Sequence, residues 1–184
     1  MMLNNLLSQK RSSILKKWFN LVLNSYPHDT SRFLKLEKNQ FANPVGYTIS
    51  QGLNNIYDEL LKGEDFKNIS PFLERVIRIR AVQNFSPSRA IEFVFLLKDV
   101  LRDELKGEIR RKDLFEDLLQ FESRIDRLAM LAFDMYEACR EEIYEIRVNE
   151  VKGNMSRLLK RVNRMTEVSV ERFDTVNENT DRIV

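Results

Sequence analysis

Apolar residues recur at α-helical spacing along most of this 184-residue chain. The segment around residues 14–22 has a broad apolar stripe, with Ile14, Trp18 and Val22 on one face. The segment that follows Pro87 is apolar around most of its circumference, which is typical of a buried central helix. No segment of useful length alternates between apolar and polar residues. The pattern therefore predicts an all-α fold.

Prolines and glycines mark the expected ends of several helices. Helices are predicted to begin at Pro44, near Ser70 and at Pro87, because proline fits the first turn, where its missing N–H has no partner. Gly63 and Gly107 follow two of these segments, so we expect both to adopt the left-handed conformation that often ends a helix.

Beyond Gly107 the apolar residues follow alternating steps of four and three, which is the spacing of a packing seam on a long helix. This first seam consists of Leu114, Leu118, Phe121, Ile125, Leu128, Ala132, Met135 and Cys139. A domain of about a hundred residues is expected to leave part of so long a seam uncovered. The sequence therefore predicts a homodimer, unless this helix completes the core of a monomer.

A second apolar stripe follows, out of register with the first seam by two residues. It consists of Tyr144, Val148, Val151, Met155, Leu158, Val162 and Met165. The register change predicts a kink or turn, for which Gly153-Asn154 is the weakest point. The last residues, 174–184, are polar and are expected to fray.

Basic residues form two clusters. Within residues 151–164 there is no acidic residue, and the cations are Lys152, Arg157, Lys160, Arg161 and Arg164. This composition predicts either a solvated face or a basic amphipathic helix that contacts an anionic partner or a membrane surface. Arg78 and Arg80 lie among apolar residues, so at least one guanidinium is expected to be partly buried and to need an acceptor. The candidate contact residues are Arg78, Arg80, Val151, Met155, Leu158, Lys160, Arg161, Val162, Arg164 and Met165.

Bulk composition narrows the class of protein. The formal net charge is only +2, which gives no general attraction to nucleic acid. The N-terminal residues lack the pattern of a secretory signal, and no apolar run approaches the length of a membrane span. We expect a cytoplasmic protein.

Candidate catalytic chemistry is sparse. His28 is the only histidine, and an axial haem ligand is a weaker interpretation of it than a solvated turn residue. Cys139 lies on the first seam and is expected to be a buried apolar residue, with a redox-sensing thiol beside Arg140 as the alternative. Neighbouring carboxylates such as Glu141 and Glu142 diverge around a helix. We expect no enzyme activity and no cofactor.

Three segments resemble a known family. They read RFL and FANPVGY within residues 32–47, VIRIRAVQNFSPSRA at 76–90 and YEACREEIYEIR at 136–147. The first two resemble the N-terminal domain family of RsbT co-antagonist proteins of the RsbRD type, and the third is similar to extensions seen in stand-alone members of that family. The resemblance implies a globin-like fold without haem, acting as a dimeric sensory module in stress signalling.

In the better-known members of that family the domain precedes a STAS domain. Here the sequence remains helical beyond residue 107 and has no βαβ pattern, so we expect a stand-alone member. The predicted divisions are a helical domain at 1–107, a long packed helix at 108–148 and an amphipathic, coiled-coil-like tail at 149–184. The expected function is a sensory, regulatory or adaptor module that binds another protein. Peripheral membrane attachment through the basic helix is the alternative.

Overall fold

The computed structural model describes residues 2–37, 39–63 and 66–180, with side chains as far as residue 164. Within these ranges the chain forms helices and no strand, which confirms the all-α prediction. The helices are α1 Met2–Gln9, α2 Arg11–Asn24, α3 His28–Leu36, α4 Pro44–Lys62, α5 Ser70–Val82, α6 Pro87–Lys112 and α7 Phe115–Thr180.

The start of α4 shows how local sequence fixes a helix end. The side-chain oxygen of Asn43 accepts a hydrogen bond from the amide of Gly46 at 2.8 Å, as expected for an N-cap before Pro44. The amide nitrogen of the same side chain donates to the carbonyl oxygens of Leu34 and Glu37. A Cβ on Gly46 would lie 2.3 Å from the Asn43 side chain, so a larger residue would break this junction of α3 and α4.

The predicted C-terminal glycines behave differently from the prediction. Gly63 follows α4, but its backbone is extended, with a φ of 161°. Gly107 lies inside α6, which continues to Lys112 and is followed by Asp113 in the left-handed conformation. One glycine inside a helix costs only about 1 kcal/mol. The Lys10 ammonium lies 2.9 Å from the Glu108 carboxylate, so a tertiary ion pair stabilises the helix just beyond Gly107.

The core of the domain lies between α2 and α6 and between α4 and α5. Trp18 of α2 is fully buried and donates through its ring nitrogen to the carbonyl oxygen of Phe93 in α6, over 2.6 Å. Tyr57 of α4 is also buried and donates to the carbonyl oxygen of Leu7 in α1. These bonds satisfy the polar atoms of two large aromatic side chains inside an apolar core.

The first part of α7 completes this core. Every member of the first seam is buried except Met135, which is intermediate. Charged pairs tie the same helix to α6: Arg102 donates two hydrogen bonds to Glu122, and Lys98 lies 2.9 Å from Asp126. The first seam is therefore covered by its own chain, and the argument that it requires a second copy is wrong.

The chain divides into two compact units, residues 1–140 and 141–184. These limits differ from the predicted divisions after residues 107 and 148, because α6 runs through Gly107 and the buried face of α7 extends to Cys139. Helix α7 also continues without a break through Gly153, where a turn or kink was expected. The predicted fraying falls partly on residues 181–184, which lie outside the described residues.

Candidate interaction surfaces

Arg80 is buried within the first unit, and no carboxylate among the described side chains forms an ion pair with it. Its side chain is 0 % exposed, and its guanidinium donates to the carbonyl oxygen of Arg89 at 2.8 Å and to the Ser25 hydroxyl at 3.1 Å. A longer bond of 3.4 Å reaches the carbonyl oxygen of Val22. Its Nε atom has no hydrogen-bond partner among the described residues. The sequence predicted that a buried arginine would need hydrogen-bond acceptors, and uncharged oxygen atoms provide them.

Aromatic rings surround the Arg80 charge. The guanidinium carbon lies 4.9 Å from the ring centre of Phe85, 5.3 Å from that of Phe93 and 5.7 Å from that of Tyr26. Burial lowers the pKa of the Arg80 guanidinium and raises the pKa of the Tyr26 hydroxyl. Because Arg80 is buried, a partner that docks on the folded domain cannot contact it, and Arg80 is not a contact residue. Arg78 is half exposed and pairs with Glu74 one turn earlier in α5.

His28 and Cys139 lie in very different surroundings. His28 is the first residue of α3 and is almost fully exposed, with Asp29 as its nearest charged neighbour at 3.4 Å. Cys139 is buried, as the sequence predicted. Burial limits the access of oxidants to this thiol, which argues against the redox-sensing alternative. Within the described part of the chain, no three His, Cys, Asp or Glu side chains lie together as metal ligands would.

A groove at the junction of α2 and α3 was not predicted. It has a volume of about 650 Å³. Its lining residues are Asn24, Tyr26, His28, Ser31, Arg32, Lys35 and Leu36. Lys35 donates to Asn24 at 2.6 Å and so joins the two helices. The groove arises from the turn between the helices, so periodicity within either helix gives no sign of it.

The second unit exposes its apolar stripe. Among the described side chains, Val148, Val151, Met155, Leu158 and Val162 are 48–64 % exposed. The side chain of Met165, also a candidate contact, lies outside the described residues. The first seam and this stripe have the same spacing, yet the first is buried in a domain and the second faces solvent.

Cations accompany this exposed stripe. Lys160, Arg161 and Arg164 are exposed, and they line a shallow surface depression together with Arg157 and Leu158. The guanidinium of Arg157 donates to the side-chain oxygen of Asn154 at 2.7 Å. The helix therefore presents apolar side chains and positive charge on one accessible surface. No helix among the described residues is long and apolar enough to cross a lipid bilayer.

Comparison with known proteins identifies related sequences. An uncharacterized protein of Archaeoglobus fulgidus is 26 % identical over 156 residues, which covers 82 % of this chain and 90 % of that protein. No solved structure matches the chain, so the globin-like arrangement stays a prediction.

The model of one protein family covers most of the chain. It is described as the RsbT co-antagonist protein rsbRD N-terminal domain, and it matches residues 12–151. The match includes nearly all of the first unit and the first turns of the second. It therefore also includes the segments that carry the resemblance seen in the sequence. The chain belongs to the RsbT co-antagonist protein rsbRD N-terminal domain family.

Proposed function

We propose that this protein is a non-enzymatic regulatory or adaptor module in stress signalling and acts through protein–protein contacts. The family description names co-antagonists of RsbT, which are proteins that act on another protein. The proposal places the protein in the cytoplasm, as a homodimer that binds a further polypeptide. In this proposal the first unit serves as the sensory or scaffolding domain and the second unit carries the output contact.

The observation that carries the proposal is the exposed apolar stripe of the second unit. The five apolar side chains of the stripe, from Val148 to Val162, are about half or more exposed. Removing apolar surface from water is favourable by about 25 cal/mol per Å². A partner that covers the stripe therefore gains binding free energy. A contiguous apolar surface of this kind is typical of a binding face.

The arrangement of reactive side chains supports a binding role. His28 is exposed on α3 and Cys139 is buried on α7, so they do not form a nucleophile–base pair. Arg80 is held by internal carbonyl oxygens and aromatic rings, as a structural residue would be. We therefore propose that the protein changes the state of a partner by contact and not by chemistry.

Truncation after Glu150 tests the proposal. The full chain and the shortened chain, each with an N-terminal tag, are used to capture proteins from lysate of the native host. We expect the full chain to enrich a specific polypeptide that the shortened chain does not. Circular dichroism and thermal melting of the shortened chain provide the control, because the first unit should remain folded.

Other outcomes would contradict the proposal. If the shortened chain captures the same polypeptide, the second unit does not carry the output. If the shortened chain unfolds, the stripe belongs to the core. Peripheral membrane attachment is the second candidate, because cations flank the stripe. Loss of binding to anionic vesicles, without any loss of a protein partner, would favour that function.

A further inference from the structure

The apolar stripe of the second unit has the register of a coiled-coil seam. If Val148 occupies position a of a heptad, then Met155 and Val162 also occupy a, while Val151 and Leu158 occupy d. Valine at a and leucine at d are typical of two-stranded pairing, and here they occupy two of the three a positions and one of the two d positions. All five side chains are about half or more exposed to solvent.

Three of the five positions that flank this seam from 147 to 161 are basic, and the other two are Asn154 and Leu159. Arg147 and Arg161 occupy position g and Lys152 occupies position e, and all three are exposed. No acidic residue occurs between Val151 and Arg164. Residues at e and g of one helix face those of its partner. These cations therefore favour a partner helix with acidic residues at the facing positions.

A second copy of the chain does not fit these charges. In a parallel pair, Arg147 would face Lys152 of the other copy, and symmetry would create that repulsion twice. In an antiparallel pair centred on the stripe, Arg147 would face Arg161 of the other copy, and Lys152 would face its own counterpart. Like charges at these positions destabilise pairing, so both self-pairing orientations are disfavoured.

A lipid surface fits the stripe less well than a helix does. Helices that lie in a membrane interface bury a broad face, often with Trp or Phe. The seam here occupies positions a and d, joined at one e position by the exposed Leu159, and none of its side chains from Val148 to Val162 is aromatic. This narrow width is that of a seam between two helices.

We propose that the partner of this surface is an amphipathic α-helix of a different protein, with apolar residues at its a and d positions and Asp or Glu at its e and g positions. This inference rests on the proposed function and adds the chemistry of the partner. Opposite charge at the flanking positions turns each repulsion expected between two copies into an attraction. The same charges orient the incoming helix and speed its encounter with the seam.

Two labelled synthetic peptides of four heptads test this inference against the full chain. Both carry Val at a and Leu at d, and they differ only in having Glu or Lys at every e and g position. We expect the acidic peptide to bind about tenfold or more tightly than the basic peptide by fluorescence anisotropy. Added salt should reduce the difference, because these flanking charges are exposed.

Variants of the full chain provide matched controls. The triple substitution Arg147→Glu, Lys152→Glu and Arg161→Glu should invert the preference between the two peptides. Met155→Glu should weaken binding of both peptides, because it places a charge in the seam. Circular dichroism should show that both variants keep the helical content of the wild type.

Several results would overturn the inference. Equal binding of the two peptides, or no binding of either, would exclude recognition by acidic flanks. Binding to vesicles of phosphatidylcholine and phosphatidylserine in place of the acidic peptide would identify a membrane as the partner. A wild-type dimer that becomes monomeric through Met155→Glu would identify a second copy. If peptide discrimination fails while truncation after Glu150 still abolishes capture of a protein, the proposed function stands without this inference.

Discussion

The guanidinium of Arg80 in α5 donates a hydrogen bond to the carbonyl oxygen of Arg89 in the first turn of α6, over 2.8 Å. Between these residues, Asn84 adopts a left-handed backbone with a φ of 58°. The ring of Phe85 lies 4.9 Å from the same guanidinium. A buried charge therefore stabilises the turn that joins two core helices, and it does so through neutral acceptors, without an ion pair to any described carboxylate.

Replacing Arg80 with lysine is expected to lower the free energy of unfolding by about 2 kcal/mol or more. Lysine keeps the charge but cannot reach the oxygens of Arg89 and Ser25 with the planar fork that arginine provides. Urea denaturation followed by circular dichroism measures the change. Arg78→Lys, at an exposed position of the same helix, is the control and should change stability by less than about 0.5 kcal/mol. Equal effects of the two substitutions would contradict a structural role for Arg80.

Two leucines of α7 provide a direct test of which stripe belongs to the core. Leu128 is fully buried and Leu158 is 58 % exposed. We expect Leu128→Ala to lower the free energy of unfolding of the first unit by about 2–5 kcal/mol, because it leaves a cavity. Leu158→Ala should change it by less than about 0.5 kcal/mol. Comparable losses from both substitutions would mean that the second stripe packs against the domain in solution.

The contact of Lys17 with Glu104 predicts a dependence of stability on pH. Hydrogen bonding by Lys17, over 2.6 Å, holds the pKa of Glu104 below its ordinary value of 4.5. The folded state thus favours the ionised form, and this stabilisation is present above pH 4.5 and is lost as pH falls through the lower pKa of the folded protein.

Glu104→Gln should therefore lower the free energy of unfolding at pH 7 by up to about 1 kcal/mol, and it should have almost no effect near pH 2. Urea titrations of the wild type and the variant at both pH values measure the two differences. Ser13 also donates to this carboxylate and can still bond to the glutamine, so any residual effect should be independent of pH. A difference of the same size at both pH values would show that ionisation of Glu104 does not contribute.

The predicted homodimer needs a surface other than the first seam. Phe95 of α6 and Met130 and Phe133 of α7 are 40–68 % exposed. Phe95 lies one turn before Lys98, and Met130 and Phe133 lie one and two turns after Asp126. Because α6 and α7 are antiparallel at the pair of Lys98 and Asp126, all three lie toward the same end of the two helices. We expect Met130→Glu to convert a dimer to a monomer in light scattering at micromolar concentration, because it places a charge in this apolar surface.

Met155→Glu is the matched control for that experiment, since it places the same charge in the stripe of the second unit. The dimer should survive this substitution. A monomeric wild type would contradict the homodimer itself, and a dimer that survives Met130→Glu would exclude the surface around Met130.

Local sequence was sufficient where a structure depends on neighbouring residues. Asn43 and Pro44 predicted the start of α4, because an N-cap and a proline act within one turn. The apolar neighbours of Arg80 predicted that a guanidinium would be buried, because a side chain on an apolar helix face follows that face inward. Helical periodicity predicted the all-α class, and the quoted segments predicted the family.

Only the tertiary structure decided what lies opposite each helix face. Periodicity assigns Leu128 and Leu158 to apolar stripes of the same spacing, but it records which side chains share a face and not what covers them. The first stripe is buried against the domain and the second is exposed, so their roles differ although their patterns agree.

The end of α6 also depends on a distant contact. Glycine at position 107 locally favours a helix end. However, Lys10, nearly a hundred residues earlier in the chain, pairs with Glu108 and stabilises the helix beyond Gly107. Contacts between residues distant in sequence carry free energies that no local pattern records, and they determined where this domain ends and which helix surface is free to bind.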